Sequence, residues 1–384
     1  MQNEKHYLKA HPTLLSGSFD CSQCFYGLQF DTYQNGCTHD CQYCWAKTEL
    51  SKTDQWNNPK PIPIDIVHLK ELFHTVFETD KSVPLRHILE QRIPLRLGSM
   101  SDPFLAIEKK LNITYETLKI LSYYKYPTLI LTRSDLVADE KYIQVMDKER
   151  TAIQLSIPST NEKLSKILEP GAPSPILRLL ALEKLMKAGI WTTVRLNPLF
   201  PTHPDGFYSK KQIVISKTTT TFDLFQLEMI DQIAQYGCKG ILTGFAHLNE
   251  KTLSYIHREV GINLRDFMTE EFKLRTSGFK YTDNEIRSYY QVISDRCKLN
   301  QMEFSTCYLG LGESFFWKDQ DLWADKLDCC NIKNHVKEFK TDTNQIPIQT
   351  RMKLLKPNLN YFTVTFYSFY YKLSSFLIKS LWKK

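Results

Sequence analysis

The stretch Gly36-Cys37-Thr38-His39-Asp40-Cys41-Gln42-Tyr43-Cys44-Trp45-Ala46-Lys47 places three thiols in one short loop, with three residues and then two between them. Thiols grouped in this way, without the even spacing of a disulfide-stapled module, suggest metal before disulfide. A [4Fe-4S] cube takes four thiolates, so three leave one iron open to an exogenous ligand. A tetrahedral zinc ion also takes four ligands, and His39 inside the loop is the candidate for the fourth. On the loop alone both readings stay open.

Outward from the loop, short β-branched runs alternate with longer helical stretches from about Phe30 onward, the pattern of βα units around a parallel sheet. The strand candidates are LQFDTY, IPLRLGS ending at Ser99, TLILT ending at Thr132, AIQLSI ending at Ile157, WTTVRLNP ending at Pro198 and KGILTGF ending at Phe245. Helices are expected over 114–124, 174–188 and 222–235, the second closed by Gly189. Six units are too few for a closed eight-stranded barrel. The expected fold is therefore α/β, an open partial (βα)6 barrel whose mouth is lined by the loops that follow the strands. After Asn263 the rhythm stops. The chain divides on this reading into an extension over 1–29, a core over 30–263 and a mostly helical region over 264–384.

Composition narrows the function. The 49 basic residues are largely balanced by 42 acidic ones, and a net charge of +7 on 384 residues permits a nucleic-acid substrate without requiring one. No apolar run opens the chain, so a cytoplasmic protein with reduced thiols is expected. Residues 361–384 repeat Phe362, Phe366, Phe369, Leu373, Phe376 and Leu377 at helical spacing, but Lys372 and Lys379 interrupt the apolar run. This is read as an amphipathic docking helix and not a transmembrane segment. The long stretch 202–221, with Lys210, Lys211 and Lys217, is either a lid over the mouth or a disordered loop.

The Cys-x-x-x-Cys-x-aromatic-Cys pattern, with Tyr43 as the aromatic, resembles the signature of radical S-adenosylmethionine (SAM) enzymes. The fuller loop is similar to the spore photoproduct lyase-like branch, often labelled DNA repair photolyases. The resemblance continues in order through GSMSDP, LTRSDL and ILEPGAPSPILRLLALEKLMKAGI, spanning about residues 36–201. It implies that Cys37, Cys41 and Cys44 hold a [4Fe-4S] cluster whose open iron is chelated by SAM. Reduction by a donor such as flavodoxin or ferredoxin then yields a 5′-deoxyadenosyl radical that removes a hydrogen atom from the substrate. DNA or a nucleotide is the implied substrate class, and a peptide or small metabolite is the alternative. The rival from another class is a zinc-stabilised nucleic-acid-binding module with His39 as a ligand.

The resemblance assigns the methionyl amine to Ser101 and Asp102, while Asp102 before Pro103 also reads as a turn residue. Ser134 and Ser156 are candidate hydroxyl contacts to SAM, Tyr43 a candidate contact to its adenine, and Arg178 or Arg195 a candidate two-pronged donor to its carboxylate. Two departures stand out. No cysteine lies between Cys44 and Cys238, where the branch's repair enzyme carries its hydrogen donor, and Gly171 stands where the branch usually has a basic residue. Cys21 and Cys24, with Cys307, Cys329 and Cys330, are candidates for a second Fe-S cluster or zinc site joining the two extensions. In FKLRTSGFKYTDNEIRSYYQ, Lys273, Arg275, Lys280 and Arg287 interleave with Tyr281, Tyr289 and Tyr290. That pattern suits either phosphates and unpaired bases or a solvated helix with a tyrosine core face.

Overall fold

The computed structural model describes residues 28–44, 46–47, 58–83, 86–200, 213–214, 221–222, 225–246, 248, 250–267, 273–275, 278–280, 283–307, 319–325 and 328–337. The principal sheet has seven strands: β1 (Gln29–Phe30), β2 (Leu95–Leu97), β3 (Thr128–Thr132), β4 (Thr151–Ser156), β5 (Trp191–Leu199), β6 (Gly240–Phe245) and β7 (Glu303–Thr306). They pair in chain order and every pairing is parallel, the arrangement of an open βα barrel wound in one direction.

Register explains why the sheet holds together. Phe30, Leu97, Ile130 and Ile153 align across β1 to β4, and Val194, Ile241 and Phe304 align across β5 to β7. All seven belong to one apolar cluster on the outer face, packed against helices. The helices include α1 (Ile66–Glu78), α2 (Ile113–Tyr123), α3 (Pro175–Lys187), α4 (Met229–Gln235) and α5 (Asp283–Leu299). They contribute Phe73, Leu118, Leu182, Ile233 and Ile293 to it. Each such side chain stabilises the fold by about 1.5–3 kcal/mol through burial. Gly189, with φ +79, ends α3 as expected.

The rhythm does not stop at Asn263. Helix α5 leads into β7, which pairs with β6 as a seventh strand, so the sheet runs past the boundary expected there. Only Phe304 of Glu303-Phe304-Ser305-Thr306 reaches the outer core, which is why the strand carries no hydrophobic pattern. The helix expected over 222–235 spans Met229–Gln235, with Thr221–Phe222 in a short strand pair.

The inner face has a second occupant. Trp323, Cys329, Cys330, Ile332 and Val336 cluster with Leu129 and Ala152, and Leu131 and Trp191 pack against them, so residues 319–325 and 328–337 close the amino-terminal end of the strands. The carboxyl-terminal end is left to the loops.

Candidate active site at the carboxyl ends of the strands

The cysteine loop follows β1 and lies over this end. Cys41 is buried, while Cys37 and Cys44 are half-buried. Burial is the main force on the Cys37 thiol, pushing it up to about 12 with help from the Asp102 charge. The backbone N–H groups of His39 and Asp102 act the other way. Cys41 is also raised by burial, against the nearby Arg133 guanidinium, and the sulfurs of Cys37 and Cys44 add to its shift. For Cys37 and Cys41 a bare thiolate is therefore costly, and bound metal would offset that cost.

The loop is gripped from below by the segment after β4. Gln42 N–H donates to the Leu168 carbonyl (2.8 Å) and Gly171 N–H to the His39 carbonyl (3.0 Å). A Cβ at Gly171 would lie 2.3 Å from the Thr38 oxygen, so this position admits no basic side chain without displacing the cysteine loop.

Asp102 is buried at the junction of three loops. Its Oδ1 accepts from Thr132 Oγ1 (2.7 Å) and Phe104 N–H (2.8 Å), and its Oδ2 from Arg133 N–H (2.8 Å), with His39 Nε2 3.2 Å away. Burial would raise this carboxyl, but the His39 ring and the backbone donors hold it at about 2. Three hydrogen bonds from three segments make Asp102 a residue that positions the loops. Ser101 Oγ donates to the Gly36 carbonyl (3.1 Å), a second tie to the cysteine loop. His39 is likewise engaged, its Nδ1 lying 3.3 Å from the Gly171 carbonyl.

Beside Cys41 lies a network that sequence reasoning missed. Glu169, almost wholly buried, accepts from Arg178 Nη2 (2.6 Å), Arg133 Nη1 (2.5 Å) and the Tyr43 hydroxyl, while Arg133 Nη1 also reaches Tyr43 Oη (2.6 Å). Arg178 is fully buried, and its other donors go to the carbonyls of Ser156 (3.0 Å) and Pro173 (2.8 Å). It is a structural cation, not a carboxylate receptor for SAM. The Ser134 hydroxyl accepts from Leu136 N–H as a helix cap. The Tyr43 ring packs edge-on against Phe200 (5.4 Å). Arg133, with a side chain 20% exposed, is the guanidinium that acts on the sulfurs of both Cys37 and Cys41. Its place directly after TLILT was the available signal.

Asp31, at the end of β1, was also missed. Its carboxylate accepts from Ser99 N–H (2.6 Å) and Met100 N–H (3.0 Å) and so anchors the loop that carries Ser101 and Asp102. Burial pushes it up to about 6 against these donors.

Residues 32–206 match the family model described as the radical SAM superfamily. The chain carries a radical SAM domain. Solved structures of spore photoproduct lyase share the fold of this chain. One has a TM-score of 0.53 at 14% identity, covering 77% of this chain and 79% of the other. Another, described with bound AdoMet and a dinucleoside spore photoproduct, has a TM-score of 0.52 at 13% identity over the same shares. Uncharacterised proteins of Mycobacterium tuberculosis and of Acidianus two-tailed virus are similar in sequence. The first is 22% identical over 56% of this chain and 58% of its own length, the second 27% identical over 43% and 54%. The chain thus spans little more than half the length of these relatives.

Lower on the inner face of the radical SAM domain, Arg195 donates to Gln154 Oε1 (3.0 Å) and Cys307 Sγ (3.2 Å). Cys329 and Cys330 lie close by, their sulfurs 3.9 Å apart and both acting on Arg195. Among the described residues no three His, Cys, Asp or Glu side chains form a group able to hold a single metal ion. Cys21 and Cys24, the lysine loop over 202–212 and 215–220, and the tail over 361–384 lie outside the described residues. Ser156 sits beside Arg195 in the strand register. Of the interleaved basic and aromatic segment, Arg287 is paired with Asp321 (2.6 Å) and Asp319 (3.4 Å), and Tyr289 and Tyr290 are buried in the core. The core-face reading of that helix is the one realised. Among the described residues no helix is long and apolar enough to cross a membrane.

Proposed function

We propose that this chain is a radical SAM enzyme that binds a [4Fe-4S] cluster through Cys37, Cys41 and Cys44 and acts on nucleic acid. The observation that carries the cofactor assignment is the placing of Cys37, Cys41 and Cys44 on one loop after β1, a loop tied down by Ser101 and Gly171. The Arg133 guanidinium acts on the sulfurs of Cys37 and Cys41. A neighbouring cation favours the thiolate form that binds metal.

When bound, reduced cluster and SAM supply a 5′-deoxyadenosyl radical that abstracts hydrogen from the substrate. The protein's own residues do the positioning. Asp102, Ser101 and Gly171 hold the cysteine loop, and Glu169 fixes Arg133, the partly exposed guanidinium suited to the SAM carboxylate. The floor formed by 319–325 and 328–337 closes the barrel from below and excludes water from the radical. A ferredoxin or flavodoxin is the fitting electron donor. The nucleic-acid assignment is supported by the shared fold with a lyase described with a dinucleoside product. A peptide or small metabolite is the second reading, favoured by the internal engagement of Arg287, Tyr289 and Tyr290.

Anaerobic reconstitution, iron analysis and a 5′-deoxyadenosine assay after reduction test the chemistry. About four irons per chain and reductive SAM cleavage are expected. Tightly held zinc without cleavage would overturn it. Incorporation of deuterium from labelled thymine-photoproduct oligonucleotides into 5′-deoxyadenosine tests the substrate class.

A further inference from the structure

Alternate residues of a strand share a face, so Thr193, Arg195 and Asn197 form a polar row up the inner side of β5. Thr193 is buried, whereas Arg195 and Asn197 are partly exposed. Two features of these residues are unexplained by the fold. The Arg195 guanidinium contacts an amide oxygen and a thiol, and no described carboxylate forms an ion pair with it. Arg133 and Arg178, by contrast, both have Glu169. The Asn197 Nδ2 atom is buried and has no hydrogen-bond partner among the described residues. Both groups are donors with unused N–H capacity, and a buried donor left unmade is costly.

We infer that Arg195 and Asn197 form a receptor for an oxyanion at the end of the substrate, a terminal phosphate or a carboxylate being the same chemistry from two sources. The floor decides that the anion is terminal. Gln154, which accepts from Arg195, is itself tied to the Cys330 carbonyl (3.4 Å), and Trp323, Cys329 and Cys330 close the barrel below. A group reaching Arg195 therefore enters end-on from the mouth. Arg133 serves the cysteine loop, and Arg195 acts instead on Cys307, Cys330 and Cys329, so the two cations address different ligands. The inference rests on the radical SAM reading only for the direction from which the substrate arrives.

The test is equilibrium titration of the full reconstituted chain with thymidine 5′-monophosphate, thymidine, N-acetylglycine and, separately, SAM. The monophosphate is expected to bind at least about tenfold more tightly than thymidine, as a charged hydrogen-bonded contact requires. That preference should vanish in Arg195→Gln and survive in part in Arg195→Lys, with SAM affinity and iron content at wild-type values. Arg195-dependent binding of N-acetylglycine without a monophosphate preference keeps the receptor and assigns its source to a carboxylate. If the monophosphate and thymidine bind equally and N-acetylglycine binding ignores Arg195, the proposal is overturned. Loss of SAM affinity alone in Arg195→Gln also overturns it. Alkylation of Cys307 in the unsubstituted protein gives a reading that does not depend on a variant folding: the bound anion should slow it, and an unchanged rate counts against the site. Failure of the radical SAM assignment would show separately, as absence of SAM cleavage.

Discussion

Glu169 is the residue on which the surroundings of the cysteine loop depend most. Burial alone would raise its carboxyl, yet the Arg178 and Arg133 cations and the hydrogen bonds from Tyr43 and Arg178 hold it at about 2. A carboxylate depressed in the fold stabilises it above its ordinary value of 4.5, and that contribution is lost as pH falls toward 2. Glu169→Gln should therefore cost about 3–5 kcal/mol near pH 7, since it leaves the buried Arg178 and the partly exposed Arg133 short of a partner. In denaturant melts the gap between the variant and the unsubstituted protein should narrow as the pH is lowered from 5 to 3. A gap independent of pH would mean that the charge is not what matters. The cysteines make a different prediction. Replacing Cys37, Cys41 or Cys44 singly by Ala should abolish reductive SAM cleavage and lower iron content, measured on protein whose melting transition is retained.

Among the elements, the cysteine loop is stable only because the segment after β4 presses against it. Gly171→Ala puts a methyl group where 2.3 Å separates the new atom from the Thr38 oxygen. The loop must move, and iron uptake on reconstitution should fall several-fold while the barrel still folds. Iron content and circular dichroism on one preparation separate the two effects. Gly98 is constrained twice, by φ +85 and by the Leu131 carbonyl 2.2 Å from a would-be Cβ. Gly98→Ala should cost at least about 1–3 kcal/mol in strain, read from denaturation midpoints. Asp31 then explains how one loop stays in place: it receives the N–H groups of the two residues that follow Gly98.

At the scale of the whole molecule, the floor is what covers one end of an open sheet. Trp191 stacks on His335 with ring centroids 3.3 Å apart and donates to the Asn331 carbonyl (2.6 Å), and Trp323 donates to Thr306 Oγ1 (2.8 Å). Ser305 Oγ reaches the Cys329 carbonyl (2.9 Å). Trp323→Ala should destabilise the fold by about 3–5 kcal/mol. It should also speed amide exchange in 328–337 more than in β3 or β4, because the floor opens before the sheet does. Equal acceleration throughout would show that floor and sheet unfold as one unit.

Local spacing was enough to reveal six strands and three cysteines, because a strand is written in consecutive β-branched residues and a metal loop in thiols a few positions apart. The seventh strand escaped because Glu303-Phe304-Ser305-Thr306 buries one large apolar side chain and takes its place from pairing with β6. What Asp102 and Arg178 contact within the fold is decided by partners up to 63 residues away, His39 for the first and Glu169 and Ser156 for the second. The amino-acid sequence determined the units and the chemistry of the thiols. Only the tertiary structure decided which charges are spent on holding the loops and which, as at Arg195, are left facing the cavity, because ion pairing is a property of distance in space and is not written in order along the chain.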